Sequence, residues 1–143
     1  MRFMIIVKSC DAFEAETTPT PDDPALMAAM ADFHEEMARA GVLLDGAGLH
    51  PSRTGWRIHY DADGRRHVVD GPFAEAKELI AGYTLIQVRD RAEAMEWSRR
   101  FPNPAGAGKE AVIELRQLID LDEFEPGPDV DRFRALNNPD PSR

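Results

Sequence analysis

The sequence predicts an α+β fold, with two helices packed on one face of a sheet. Three observations predict it. A strongly apolar run opens the chain, two later stretches carry helical periodicity behind N-cap residues, and strand-like runs lie between and after them.

The opening run, residues 2–8, reads as a strand. Phe3, Ile5 and Val7 point to one side and Met4 and Ile6 to the other, so both faces are apolar, as in a central strand covered on both sides. An acidic loop containing Thr and Pro is expected from there through Asp23. The first helix is predicted from about Pro24 to Ala40. Asp23 suits the N-cap, Pro24 the first helical position and Gly41 the C-terminal stop. Leu26, Met30, Phe33 and Met37 recur at spacings of four, three and four, which marks one buried stripe.

Val42 to Leu49 follows as an extended segment, with Gly46 and Gly48 pointing to a bend or bulge. Residues 56–60 and 65–70 then read as a β-hairpin about Asp63-Gly64, the favoured pair for a two-residue turn. That register sets Tyr60 opposite His67 and Asp61 opposite Arg66 as an ion pair, and it places His59 and His67 on opposite faces. Ile80 to Val88 is the next strand. Asp90 opens the second helix with Glu93 as the acidic partner of a capping box, Ala94, Trp97 and Phe101 share a face, and Pro102 ends it. A flexible link at 103–108 leads to a last strand, Ala111–Leu118, with Ile113 and Leu115 inward. Residues 119–143 are expected to form an acidic tail containing Pro and Asn, with one helical turn near 130–136.

This order is a ferredoxin-like split βαβ plan with a hairpin inserted in its middle, and it gives one domain over residues 1–118. Two helices cover only one face of such a sheet. Met4 and Ile6 leave the other face partly apolar, and sheet-to-sheet dimerisation is the simplest way to cover it.

Composition narrows the function. The 143 residues carry a net charge of −9. Residues 11–23 contribute five acids and no base, and residues 119–143 seven acids against three arginines, so those two segments hold the whole excess. Acidic segments around a neutral body do not attract phosphate backbones, which argues against nucleic acid as a partner. No apolar run has the length of a membrane span and the opening strand is too short for a signal-peptide core, so a cytoplasmic protein is expected. The single cysteine, Cys10, fits a reducing compartment and reads as an inert residue at a strand end. Nucleotide-binding glycine motifs and the nucleophile elbow are missing. Histidine spacing gives no zinc or iron site, so neither metal nor cofactor is expected.

Candidate site residues come from two loops. His50 lies in the loop-like stretch Gly46–Pro51, where a polar side chain is placed to face a cleft, while His34 reads as a residue at the edge of the helix stripe. The stretch from Asp70 to Glu78 follows a strand with a tight Gly-Pro turn. Asp70 is expected to accept backbone N–H groups there and Phe73 to anchor the turn in the core, with Lys77 paired to Asp70 or Glu75. A structural role for this cluster and a ligand-facing role for Asp70, Phe73, Glu75 and Lys77 both stay open.

The run DGPF at Asp70–Phe73, continued by AEAKELIAGYTLIQV to Val88, resembles the signature of the YCII-related, or DGPF, family. RFMIIVK at the start, AGVLLDGAGLHPS at Ala40–Ser52 and EAMEWSRRFPNP at Glu93–Pro104 agree with it, so the resemblance spans Arg2 to about Leu118. It implies a dimeric α+β barrel, two sheets face to face, with a cleft between sheet and helices. Shorter relatives resemble muconolactone isomerase in fold and are associated with a His–Asp acid–base pair. The matching positions here are Met30 and Phe101, both apolar, so that activity does not carry over. Relatives are also encoded beside extracytoplasmic-function sigma factors, which implies regulation by protein contact or ligand sensing. Two functions remain: a dimeric module binding a small molecule or a partner such as a sigma factor, or a cofactor-free isomerase or decarboxylase using His50, Asp70 or Glu75.

Overall fold

A computed structural model describes residues 1–15 and 23–137. Six strands run β1 (Arg2–Lys8), β2 (Leu43–Gly48), β3 (Trp56–Tyr60), β4 (Arg66–Asp70), β5 (Ile80–Gln87) and β6 (Ile113–Gln117). Four helices are α1 (Asp11–Glu14), α2 (Pro24–Arg39), α3 (Arg91–Arg99) and α4 (Pro128–Asn137). The main sheet is antiparallel in the order β2-β5-β1-β6, and β3 and β4 form a separate hairpin. This is the α+β, ferredoxin-like order that the sequence predicts, with the hairpin inserted between β2 and β5.

Helices α2 and α3 cover the same face. Phe3 and Ile5 of β1 and Ile86 of β5 pack with Phe33 and Met37 of α2, Ala94 of α3, and Val42 and Val88. Ile5, Met37 and Ile86 are fully buried. Phe33 meets Trp97 and Phe101 edge-on at centroid distances of 5.8 and 5.6 Å, and Ile113 and Leu115 close the layer from β6. Leu26 and Met30, the outer half of the predicted stripe, are half-buried.

Local signals set the helix ends. Asp23 accepts the Leu26 N–H at 3.0 Å and Pro24 takes the first turn, where its missing N–H costs nothing. Gly41 follows α2 with φ +76°, a conformation that glycine adopts without strain. Asp90 caps α3 by accepting the Glu93 N–H at 2.9 Å. The predicted reciprocal half of that box is absent: Glu93 instead binds Arg89, through its N–H at 3.0 Å and Nε at 2.8 Å. The Arg89 contacts hold the Glu93 carboxyl below the usual range.

Several expectations are corrected. Asp11–Glu14 is helical where an acidic loop is predicted, and residues 16–22 of that predicted loop lie outside the described residues. The irregularity in β2 falls between Leu43 and Asp45 rather than at the glycines. The tail holds a ten-residue helix, α4, where one turn was expected. Pro128 at its first position, Asp129 and Asp131 in its first turn and the Arg134–Asp122 ion pair favour that helix, and they are local features that an acidic, Pro-rich composition conceals.

The hairpin register is also different. His59 pairs with His67 and Tyr60 with Arg66, one residue off the predicted alignment. Asp61 N–H donates to the Arg65 carbonyl at 3.0 Å, and Gly64 has φ +82°. The loop is therefore three residues, 62–64, with glycine in the left-handed position, instead of the two-residue turn that Asp-Gly suggests. The Asp61 carboxylate fixes that choice by accepting the N–H groups of Asp63 and Arg65 at 3.0 and 2.9 Å. Asp61 therefore contacts His67, at 3.3 Å, and not Arg66.

Candidate functional site

Ser52 organises the junction between hairpin and main sheet. It lies in a single 3₁₀ turn, Ser52–Thr54, that follows the buried Pro51. Its backbone N–H donates to Glu14 of α1 at 3.1 Å and its hydroxyl donates to the same carboxylate. The hydroxyl oxygen in turn accepts the Phe73 N–H at 3.0 Å. One side chain thus joins three segments distant in sequence: the end of α1, the turn after β2, and the stretch after β4. Gly71 N–H adds a bond to the Gly55 carbonyl at 2.9 Å.

An open cleft of about 290 Å³ lies beside this junction. Leu49, Leu79, Ile80 and Phe73 make it apolar, and Glu14, His50, Ser52, Arg57 and Glu78 supply polar groups. Arg57 lies with its guanidinium carbon 3.8 Å from the Phe73 ring centre, a cation–π contact that fixes both side chains. Apolar walls with a few polar groups on fixed turns are what a small-molecule site requires.

The predicted site residues divide. His50 and Phe73 line this cleft. Asp70, Glu75 and Lys77 are exposed and are not among its lining residues. Asp70 makes no side-chain hydrogen bond among the described residues; the turn that it was expected to hold is tied by Ser52 and by the Gly55 carbonyl. Lys77 forms no ion pair with Asp70 or Glu75 among those residues, because the chain turns through Glu75 at φ +61° into a 3₁₀ turn at Ala76–Glu78. Phe73 is half-buried under Arg57 and outside the core. Sequence reasoning missed Glu14, Ser52, Arg57 and Glu78, which nothing in linear spacing connects.

His34 is more than a boundary residue. Its Nδ1 lies 2.7 Å from the Met30 carbonyl, which can only accept, so Nδ1 carries the proton. Nε2 then accepts from the hydroxyl of the buried Thr84 at 2.9 Å. The ring packs against Phe101 at 6.0 Å and faces the bare backbone of Gly46. Met30 and Phe101, the two positions where acid–base residues are missing, both contact this histidine. Both its nitrogens are engaged within the fold, so neither is presented to a substrate.

Among the described residues no helix is long and apolar enough to cross a membrane. A family model described as the YCII-related domain matches residues 1–121. The chain is also 32% identical over 82 residues to an uncharacterised protein of Rhizobium meliloti (strain 1021), a match covering 57% of this chain and 65% of that protein, just under two thirds of its length. The split βαβ sheet, the Asp-Gly-Pro-Phe turn clasped by Ser52 and the match along the first 121 residues agree: the chain belongs to the YCII-related domain family.

Proposed function

We propose that the protein is a homodimeric binding module of the bacterial cytoplasm that takes a small molecule in the cleft beside Ser52. The observation that carries this reading is the clasp of Glu14, Ser52 and the Phe73 N–H, which holds polar groups rigidly around an apolar recess of small-molecule size. The open shape of the cleft favours binding over chemistry, since proton transfer needs an acid and a base converging in a site closed to water. The enzymatic alternative rests on His50 with Glu14 or Glu78, because Asp70 and Glu75 stand away from the cleft.

Dimerisation is supported by apolar surface that one chain leaves uncovered. The sheet face away from the helices presents Met4, Tyr83 and Leu85, although Ile6 is only 8% exposed, so this patch is narrower than the sequence suggests. The hairpin adds Trp56, Ile58, Tyr60 and Val68 on one of its faces, 45–67% exposed. Native mass spectrometry of protein purified gently from its own host tests the proposal. A dimer with a small-molecule adduct that Arg57→Ala abolishes is the expected result. A bare monomer overturns the reading, and a dimer that instead retains a second protein, such as a sigma factor, replaces ligand binding with regulation by contact.

A further inference from the structure

The cleft beside Ser52 holds opposite charges that do not meet. Arg57 and Glu78 both line it and both are exposed. Neither side chain forms a hydrogen bond or ion pair among the described residues. Arg57 is held through its guanidinium carbon, 3.8 Å from the Phe73 ring centre, so its N–H donors stay available. Glu14, the second acid of the lining, is already taken, because the Ser52 N–H and hydroxyl both donate to its carboxylate. The free charges are therefore one fork of donors and one carboxylate, set in a recess whose Leu49, Leu79 and Ile80 are apolar.

Resting on the reading of this cleft as a ligand site, we propose that its ligand is a zwitterion with an apolar side chain, an α-amino acid of the leucine or phenylalanine class. Its carboxylate takes the Arg57 guanidinium, which suits planar two-oxygen groups. Its ammonium takes Glu78, and its side chain lies against the apolar walls. Charge narrows the class further. A phosphate ester or dicarboxylate would meet Arg57 but face both Glu14 and Glu78, and like charges brought together oppose binding. Size agrees: about 290 Å³ stands at the lower end of small-molecule sites, about 300–1,000 Å³, and suits a ligand no larger than one amino acid. Arg57 belongs to β3, and Glu78 ends the 3₁₀ turn that leads into β5. A bridging ligand would thus tie the hairpin to the main sheet.

NMR titration of the full ¹⁵N-labelled chain with L-phenylalanine tests the proposal. Phenylpropanoate, which lacks the ammonium, phenylethylamine, which lacks the carboxylate, and glycine, which lacks the side chain, are the comparisons. The expected result is saturable binding that shifts the backbone N–H signals of Leu49, Ser52, Phe73 and Leu79, with each comparison compound weaker by about tenfold or more. Arg57→Gln should weaken L-phenylalanine by about tenfold or more without weakening phenylethylamine. Glu78→Gln should do the same without weakening phenylpropanoate. A variant that merely disturbs the fold would weaken both compounds of its pair, and that result in both variants overturns the assignment. If phenylpropanoate or phenylethylamine binds the cleft as tightly as L-phenylalanine, the zwitterion is overturned while the cleft remains a ligand site. The proposal also falls if neither L-phenylalanine nor L-leucine saturates by about 10 mM. In that case a native-mass adduct that Arg57→Ala abolishes keeps the cleft reading, and its absence removes both.

Discussion

Gly71→Ala probes the junction most directly. A Cβ at this position would stand 1.9 Å from the Ser52 carbonyl oxygen, 2.7 Å from its carbonyl carbon and 3.3 Å from Arg53 Cα. Non-bonded heavy atoms attract best at about 3.5–4.0 Å, so the first two approaches are prohibitive. All three atoms belong to the backbone, and no side-chain rotation relieves them. The turn at Ser52–Thr54 must move away from residue 71, or Gly71 must surrender its bond to the Gly55 carbonyl. Overpacking of this kind costs about 1–3 kcal/mol. Moving Ser52 also weakens its bonds to the Phe73 N–H and to Glu14, about 1 kcal/mol for the neutral bond and somewhat more for the charged one. The sum is about 3–5 kcal/mol, which for a chain of this size lowers Tm by roughly 10 °C. Urea and thermal unfolding followed by circular dichroism would measure it. A variant melting within about 2 °C of the wild type would refute the close packing of residue 71 on the Ser52 turn.

Three further outcomes follow from the same contacts. Ser52→Ala removes the hydroxyl bridge between Glu14 and Phe73 N–H and should destabilise the chain by about 1–3 kcal/mol in urea melts, with no comparable loss for Ser98→Ala, whose hydroxyl makes an exposed bond to the Met95 carbonyl within α3. Thr84→Val keeps the volume but leaves His34 Nε2 without its donor, and should cost about 1–3 kcal/mol in the same measurement. The Asp61 carboxyl should titrate below its ordinary range when followed by carbon NMR. Because folding lowers that value, any stability Asp61 contributes is complete above the unfolded-chain value and fades as pH falls through the folded one.

Much of the fold was legible because its determinants are local or periodic. The stripe ending in Phe33 and Met37, the Asp23-Pro24 start and the Gly41 stop define α2 without any distant contact. The alternation of Phe3 and Ile5 with Met4 and Ile6 gave the two faces of β1. The hairpin register was misread because Asp63-Gly64 fits two turn geometries, and the deciding interaction comes from Asp61, one residue before the loop. The cleft was less legible still. His50 stood out by its place in a loop and Phe73 by its place in the Gly-Pro turn, but Glu14 and Arg57 reach the cleft from α1 and β3 only after folding. Asp70 drew attention by belonging to a recognisable run of four residues, yet glycine and the peptide N–H of Phe73 are the members of that run that make the close contacts. With its side chain exposed and unbonded among the described residues, Asp70→Ala should shift stability by less than about 0.5 kcal/mol in unfolding measurements.

The three-residue loop also bears on how this surface can diversify. The strands flanking it admit two alignments, and Asp61 selects between them by holding the N–H groups of Asp63 and Arg65. A substitution at 61 that favours the shorter loop would slide one strand past the other by a single position. His59 would then meet Val68, Tyr60 would meet His67, and the two imidazoles would part to opposite sides. None of those residues would have changed. One carboxylate at the tip therefore acts as a selector for the neighbours of a whole ribbon, so its mutation can rewrite the chemistry of both faces in one step.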